Sequence, residues 1–84
     1  MRTIELRYFA SVREALGRGS EAMLTGAATL AALRDELIAR GEPYASALSR
    51  GKAMRTALDQ VMVSESVALH DGAQVAFFPP VTGG

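Results

Sequence analysis

An α+β fold, with one principal helix packed across a mixed sheet, is predicted by three features of the 84-residue chain. Thr3 to Phe9 alternates apolar and polar residues, a capped helical repeat follows Thr29, and further apolar runs lie beyond Leu58. In the first run Ile4, Leu6 and Tyr8 share one face and Thr3, Glu5 and Arg7 the other, which is the period of a half-buried strand. Phe9 falls on the polar face.

Ser11-Val12-Arg13-Glu14 reads as a capping box, in which the Ser11 side chain bonds the Glu14 backbone and Glu14 reaches back. It predicts a short helix ending at Gly17. Gly17-Arg18-Gly19-Ser20 is a turn and not a phosphate loop, because no strand-loop-helix unit with a P-loop lysine surrounds it. Glu21 to Thr25 is expected to return as a second strand, with Ala22 and Leu24, or else Met23, facing inward.

Thr29 then caps a helix carrying Leu30, Leu33, Leu37 and Ile38 at helical spacing, with Gly41 and Pro43 as the stop. Residues 44–50 predict one more helical turn, and the stretch to Thr56 a plain connection. Leu58 to Val63 reads as one strand, with Val61 and Val63 on one face and Met62 on the other, and Val67 to Leu69 is short. Asp71-Gly72 is a hairpin-type turn signal. Gln74 to Phe78 forms the closing strand, ended by Pro79, which has no N–H to donate. A hairpin, a helix and then more strands is the order of a β-grasp domain, expected over residues 1–80 with 81–84 as a tail.

The composition bounds the function. So short a chain buries roughly 60% of its unfolded surface in one core. Nine basic and nine acidic residues give zero formal net charge, without the basic excess of a nucleic-acid or membrane-surface binder. Neither partner is expected. Arg2, Glu5 and Arg7 interrupt any N-terminal apolar run, and no stretch approaches the roughly 18 apolar residues of a membrane span. The expected location is the cytoplasm.

Lack of cysteine removes disulfides, thiolate metal sites and thiol nucleophiles. His70 is the single histidine, so no histidine triad or two-histidine metal site can be assembled, and it reads as a solvated loop residue beside a turn. No metal site and no internal active site are predicted. What remains is the ending: Val75-Ala76-Phe77-Phe78-Pro79-Pro80-Val81-Thr82 stiffens the approach to Gly83-Gly84. Two residues without Cβ atoms suit a tail that threads a narrow channel. Val81 to Gly84 reach at most roughly 13–14 Å when extended, and Pro79-Pro80 fix φ twice, which lowers the entropy lost on docking.

Phe-Phe-Pro-Pro-Val-Thr-Gly-Gly, together with Arg7-Tyr8-Phe9-Ala10-Ser11-Val12-Arg13-Glu14 and Leu69-His70-Asp71-Gly72, resembles the small-subunit family of molybdopterin synthase, ubiquitin-like sulfur carriers. The resemblance implies a ubiquitin-like β-grasp fold. It implies that the Gly84 carboxylate is adenylated by a ubiquitin-activating-type adenylyltransferase using ATP and converted to a thiocarboxylate. The sulfur then serves a catalytic large subunit, partnered in a heterotetramer, that builds the molybdopterin dithiolene from cyclic pyranopterin monophosphate. The small subunit would hold no cofactor stably and lend no catalytic group but its terminus. Two positions depart from the family pattern: Ala73-Gln74 replaces two acids after Asp71-Gly72, and Asp59 stands where asparagine is common. A sulfur carrier of the thiamine or tRNA-thiolation pathways shares the Gly-Gly end, but the Phe-Phe-Pro-Pro run and the longer chain stand against the thiamine carrier. A protein modifier that forms isopeptide bonds through Gly84, and a plain binding module, are the readings from other classes.

Strand parity adds a docking face. With Val75 and Phe77 toward the core, Phe78 must face outward, and the same logic puts Phe9 and Met62 on the solvent side. The expected partner-binding set is Phe9, Met62, Phe78, Pro79, Pro80, Val81, Thr82 and Gly83, with Gly84 as the reactive residue.

Overall fold

A computed structural model describes residues 1–80; Val81, Thr82, Gly83 and Gly84 lie outside the described residues. Strand β1 spans Arg2–Tyr8, helix α1 Ala10–Leu16, β2 Ser20–Thr25, α2 Leu30–Ile38, α3 Tyr44–Ala47, β3 Arg55–Leu58, β4 Val61–Val63 and β5 Gln74–Phe78. The sheet order is β2-β1-β5-β3-β4. β5 runs parallel to β1 and antiparallel to β3, and the two outer pairings are antiparallel. Leu30, Leu33 and Leu37 of α2 are buried with Ile4, Leu6, Tyr8, Val75 and Phe77 in one core, the β-grasp arrangement.

β1 obeys its period: Ile4, Leu6 and Tyr8 are buried and Thr3, Glu5 and Arg7 exposed. In α1 the capping box does not form. The N-cap is Phe9, with no side-chain cap, because Ala10 at φ 50° turns the chain straight from strand into helix. Ser11 therefore lies inside the first turn. Gly17 ends the helix at φ 74°, a conformation that costs glycine nothing. β2 turns Met23, not Ala22 and Leu24, inward; Leu24 is 63% exposed.

Thr29 caps α2 as expected, its Oγ1 accepting from the Ala32 N–H at 3.2 Å. Leu58–Val63 is not one strand. It is the end of β3, a two-residue turn at Asp59 (φ 50°) and Gln60 (φ 71°), and β4. Successive positive φ values are those of a type I′ hairpin turn, here without glycine. Residues 67–69 contribute only an isolated bridge, Thr29 with Ala68. Asp71-Gly72 does turn the chain, with Gly72 at φ 82°, but it feeds the parallel strand β5 and joins no hairpin.

Two polar hubs tie the helices to the sheet. The Glu21 carboxylate on β2 accepts from Tyr8 Oη at 3.0 Å, Tyr44 Oη at 2.6 Å and Arg40 at 2.9 Å. Burial opposes its ionisation, but these donors outweigh burial and hold Glu21 below the usual carboxylate range. Burial first, and Glu21 second, push the Tyr8 hydroxyl far upward. Arg34 of α2 is 4% exposed. It donates to the carbonyls of Leu48 at 2.8 Å and Ser49 at 2.7 Å, and to Glu65 at 2.6 Å. The connection to Thr56, which carries no motif, is therefore pinned by a buried guanidinium.

His70 is a solvated residue beside the turn, as expected, and it is also bonded on both sides of its ring. Its Nε2 lies 2.6 Å from Asp59 Oδ2, its Nδ1 2.9 Å from the Asp71 carbonyl, and Asp59 Oδ1 accepts from the Gln74 N–H at 3.0 Å. Both ring nitrogens face acceptors, a geometry that suits the doubly protonated imidazolium. Asp59 first and the Asp71 carbonyl second raise the His70 pKa above its ordinary 6.5. The Gln74 N–H first and His70 second lower Asp59 below its ordinary 3.8.

Two outcomes are expected. Arg34→Leu leaves the carbonyls of Leu48, Ser49 and Lys52 without their buried donor and Glu65 with Arg50 alone, and should cost about 1–3 kcal/mol in urea unfolding. The His70 contribution is present below pH 6.5 and lost as pH rises through the raised folded value, whereas that of Asp59 is present above pH 3.8 and lost as pH falls. The destabilisation by His70→Gln should accordingly be largest between pH 3.8 and 6.5 and shrink above that window. Unfolding curves across pH check it; a pH-independent difference contradicts the pairing.

Candidate functional site

Helices cover one face of the sheet, and the site lies on the other. In β5 Val75 and Phe77 are fully buried, so the pleat turns Phe78 to the open face. Phe9 follows β1 as the N-cap of α1, but its backbone is still extended (φ −126°, ψ 154°). Alternation persists one residue beyond the strand, and Phe9 stays on the open face, 47% exposed. Its N–H donates to the Phe77 carbonyl at 3.2 Å. The Phe9 and Phe78 rings meet edge to face, centroids 6.0 Å apart at 87°, a favoured arrangement for two aromatic quadrupoles.

Met62 on β4 is 51% exposed and completes the face. Phe9, Met62 and Phe78 line a shallow groove of about 350 Å³ whose floor includes Ala57 and Ala76. The small side chains let the larger ones stand above them. Gln60 and Gln74 close one end, beside the Asp59–His70 pair. Arg7 lines the groove too, held by Glu5 at 3.1 Å.

The sequence-predicted residues Phe9, Met62 and Phe78 thus come together on one surface. Pro79 and Pro80 are half-buried and leave the sheet beside Phe78. Val81, Thr82, Gly83 and Gly84, the rest of the predicted set, lie outside the described residues. Sequence reasoning missed the groove floor, because Ala57 belongs to β3, a strand whose inward Thr56 hides the alternation; Thr56 is buried with its hydroxyl donating to the Val63 carbonyl at 2.9 Å. Among the described residues no helix is long and apolar enough to cross a membrane.

The model of the ThiS family matches residues 6–84. The molybdopterin synthase sulfur carrier subunits of Escherichia coli and Haemophilus influenzae are 42% and 36% identical to the chain, in each case over 96% of it and 99% of the relative. A putative molybdopterin converting factor subunit 1 from Pyrococcus furiosus superposes with a TM-score of 0.77 at 25% identity, covering 96% of this chain and 100% of that one. A protein from the Helicobacter pylori complex of molybdopterin-converting factor subunits 1 and 2 shares the fold, with a TM-score of 0.65 at 23% identity over 98% and 99% of the two chains. The chain belongs to the ThiS family, and its relatives at 42% and 36% identity are molybdopterin synthase sulfur carrier subunits.

Proposed function

We propose that the chain is the sulfur-carrier small subunit of a molybdopterin synthase, docking its open sheet face on a catalytic large subunit and delivering sulfur from the Gly84 carboxylate. The observation that carries the reading is the apolar groove at the root of the tail, where Phe9, Met62 and Phe78 converge beside Pro79. The names of the relatives and the two-subunit complex of the Helicobacter pylori neighbour support such a partner.

The chemistry follows from the terminal group. An ionised carboxylate is a poor electrophile, so an ATP-dependent adenylyltransferase of the ubiquitin-activating type first makes the acyl-adenylate and releases pyrophosphate. A sulfur nucleophile then attacks the acyl carbon and expels AMP, leaving a thiocarboxylate. Each thiocarboxylate passes one sulfur to the cyclic pyranopterin monophosphate held by the large subunit and returns to a carboxylate by taking up water, so two loaded tails supply the two sulfurs of the dithiolene. Without a cysteine in the chain, no internal thiol diverts that sulfur into a disulfide. The globule supplies binding energy and aim; the partner supplies the catalytic groups.

Magnitudes favour a two-part grip. Burying each of three large apolar side chains contributes roughly 1.5–3 kcal/mol, while association costs about 4–15 kcal/mol. The face alone binds weakly, and an inserted tail makes the complex durable.

Phe78→Asp should leave the fold intact by circular dichroism and weaken large-subunit binding about 10- to 100-fold in calorimetry, since at least one anchor is lost; unchanged affinity would misplace the docking face. Chain purified from cells and treated with iodoacetamide should gain a single alkyl adduct at its terminus by intact mass, as there is no cysteine to react. Absence of the adduct, with lysine-linked conjugates in its place, would favour a protein modifier.

A further inference from the structure

Among the described strand residues, Glu5 and Arg7 on β1 and Arg55 on β3 are the charged ones that alternation turns to the open face. Their places are fixed by register, Arg7 opposite Ala76 and Arg55 opposite Phe78, on either side of β5. Glu5 and Arg7 neutralise each other at 3.1 Å. Arg55 is exposed, and none of the ion pairs among the described residues includes it. Glu65, which lines a second groove together with Arg55 and Met62, is already held by Arg34 and Arg50.

Among the described residues the face therefore presents Arg55 as an uncompensated cation, directly across from Phe78 at the point where Pro79 leaves the sheet. A partner that covers Phe78 and Met62 must also take water from the Arg55 guanidinium. Desolvating an unpaired charge is costly, and a guanidinium is matched best by a carboxylate, which it grips through two parallel N–H···O bonds. An apolar partner surface without an acid would be penalised there, and a basic one repelled.

We propose that Arg55 is a specificity residue of the docking face, pairing with an aspartate or glutamate that the large subunit places beside its Phe78-binding patch. The inference rests on the docking reading above and adds to it the charge the partner must carry. Arg55 selects partners, and Phe9, Met62 and Phe78 supply the adhesion. Electrostatic complementarity of this kind sets association rate and rejects wrong partners more than it adds affinity.

The test is calorimetric titration of the large subunit with the full-length chain, Arg55→Gln and Arg55→Glu, at low and high salt, with thermal melts to show that the variants fold. Binding by the unaltered chain should weaken with salt, as an ion pair is screened. Arg55→Gln should bind about 3- to 10-fold more weakly and with less dependence on salt, and Arg55→Glu on the order of 100-fold more weakly at low salt, since two like charges then face each other. If Arg55→Glu binds as tightly as the unaltered chain, the charge assignment is overturned while the docking face stands. If the unaltered chain itself fails to bind, both fall.

Discussion

The parallel pairing of β1 with β5 is the constraint from which the rest of the molecule follows. It ties the beginning of the chain to its end, through the Glu5 N–H to the Ala73 carbonyl at 2.9 Å, the Gly72 N–H to the Thr3 carbonyl at 2.8 Å and the Phe9 N–H to the Phe77 carbonyl at 3.2 Å. Parallel neighbours need a long crossover, and here everything from α1 to β4 is that crossover. β5 lands in the middle of the sheet, paired on both edges. A strand so placed cannot slip by one residue without exposing Val75 and Phe77 and burying Phe78. The outward aim of Phe78, its contact with Phe9 and the exit of Pro79 from the sheet's centre are all consequences of this register.

Charge is organised around that frame. Arg34 and Glu21 are partly or fully sunk in the domain, and each collects several partners, because a lone buried charge would be intolerable. Arg34 holds the 48–52 segment against α2, and Glu21 holds Tyr8, Tyr44 and Arg40. On the open face the reverse holds: near the apolar groove stands Arg55, a cation that no ion pair among the described residues includes. Interior charges are closed within the chain, whereas the proposed pairing of Arg55 would be closed by a partner.

How much of this could be read from the sequence depended on whether local pattern or distant pairing set each feature. β1, α2 and β5 were legible because alternation and helical spacing are local, and so was the open apolar face, since parity in β5 forces Phe78 outward once Phe77 is inside. Phe9 was placed correctly for the same reason, although it belongs to a cap and not to the strand. β3 was hidden: its inward Thr56 is polar, and the turn that separates it from β4 uses Asp59-Gln60 where glycine would have announced it. That turn is stabilised by Asp59 bonding Gln74 and His70, residues distant in sequence. The failed capping box has a similar origin. Ser11 and Glu14 have the right spacing, but the tight exit from β1 at Ala10 starts the helix before Ser11 can cap it.

In the proposed function the folded domain is a handle and the acyl group of Gly84 the reacting centre. Its most direct measurement uses a chain lacking Gly84 in a reconstituted reaction with the large subunit, the activating enzyme, ATP and a sulfur donor. The expected result is a folded protein that still docks through its open face but yields neither thiocarboxylate nor dithiolene. Product formed at the full rate by the shortened chain would contradict it.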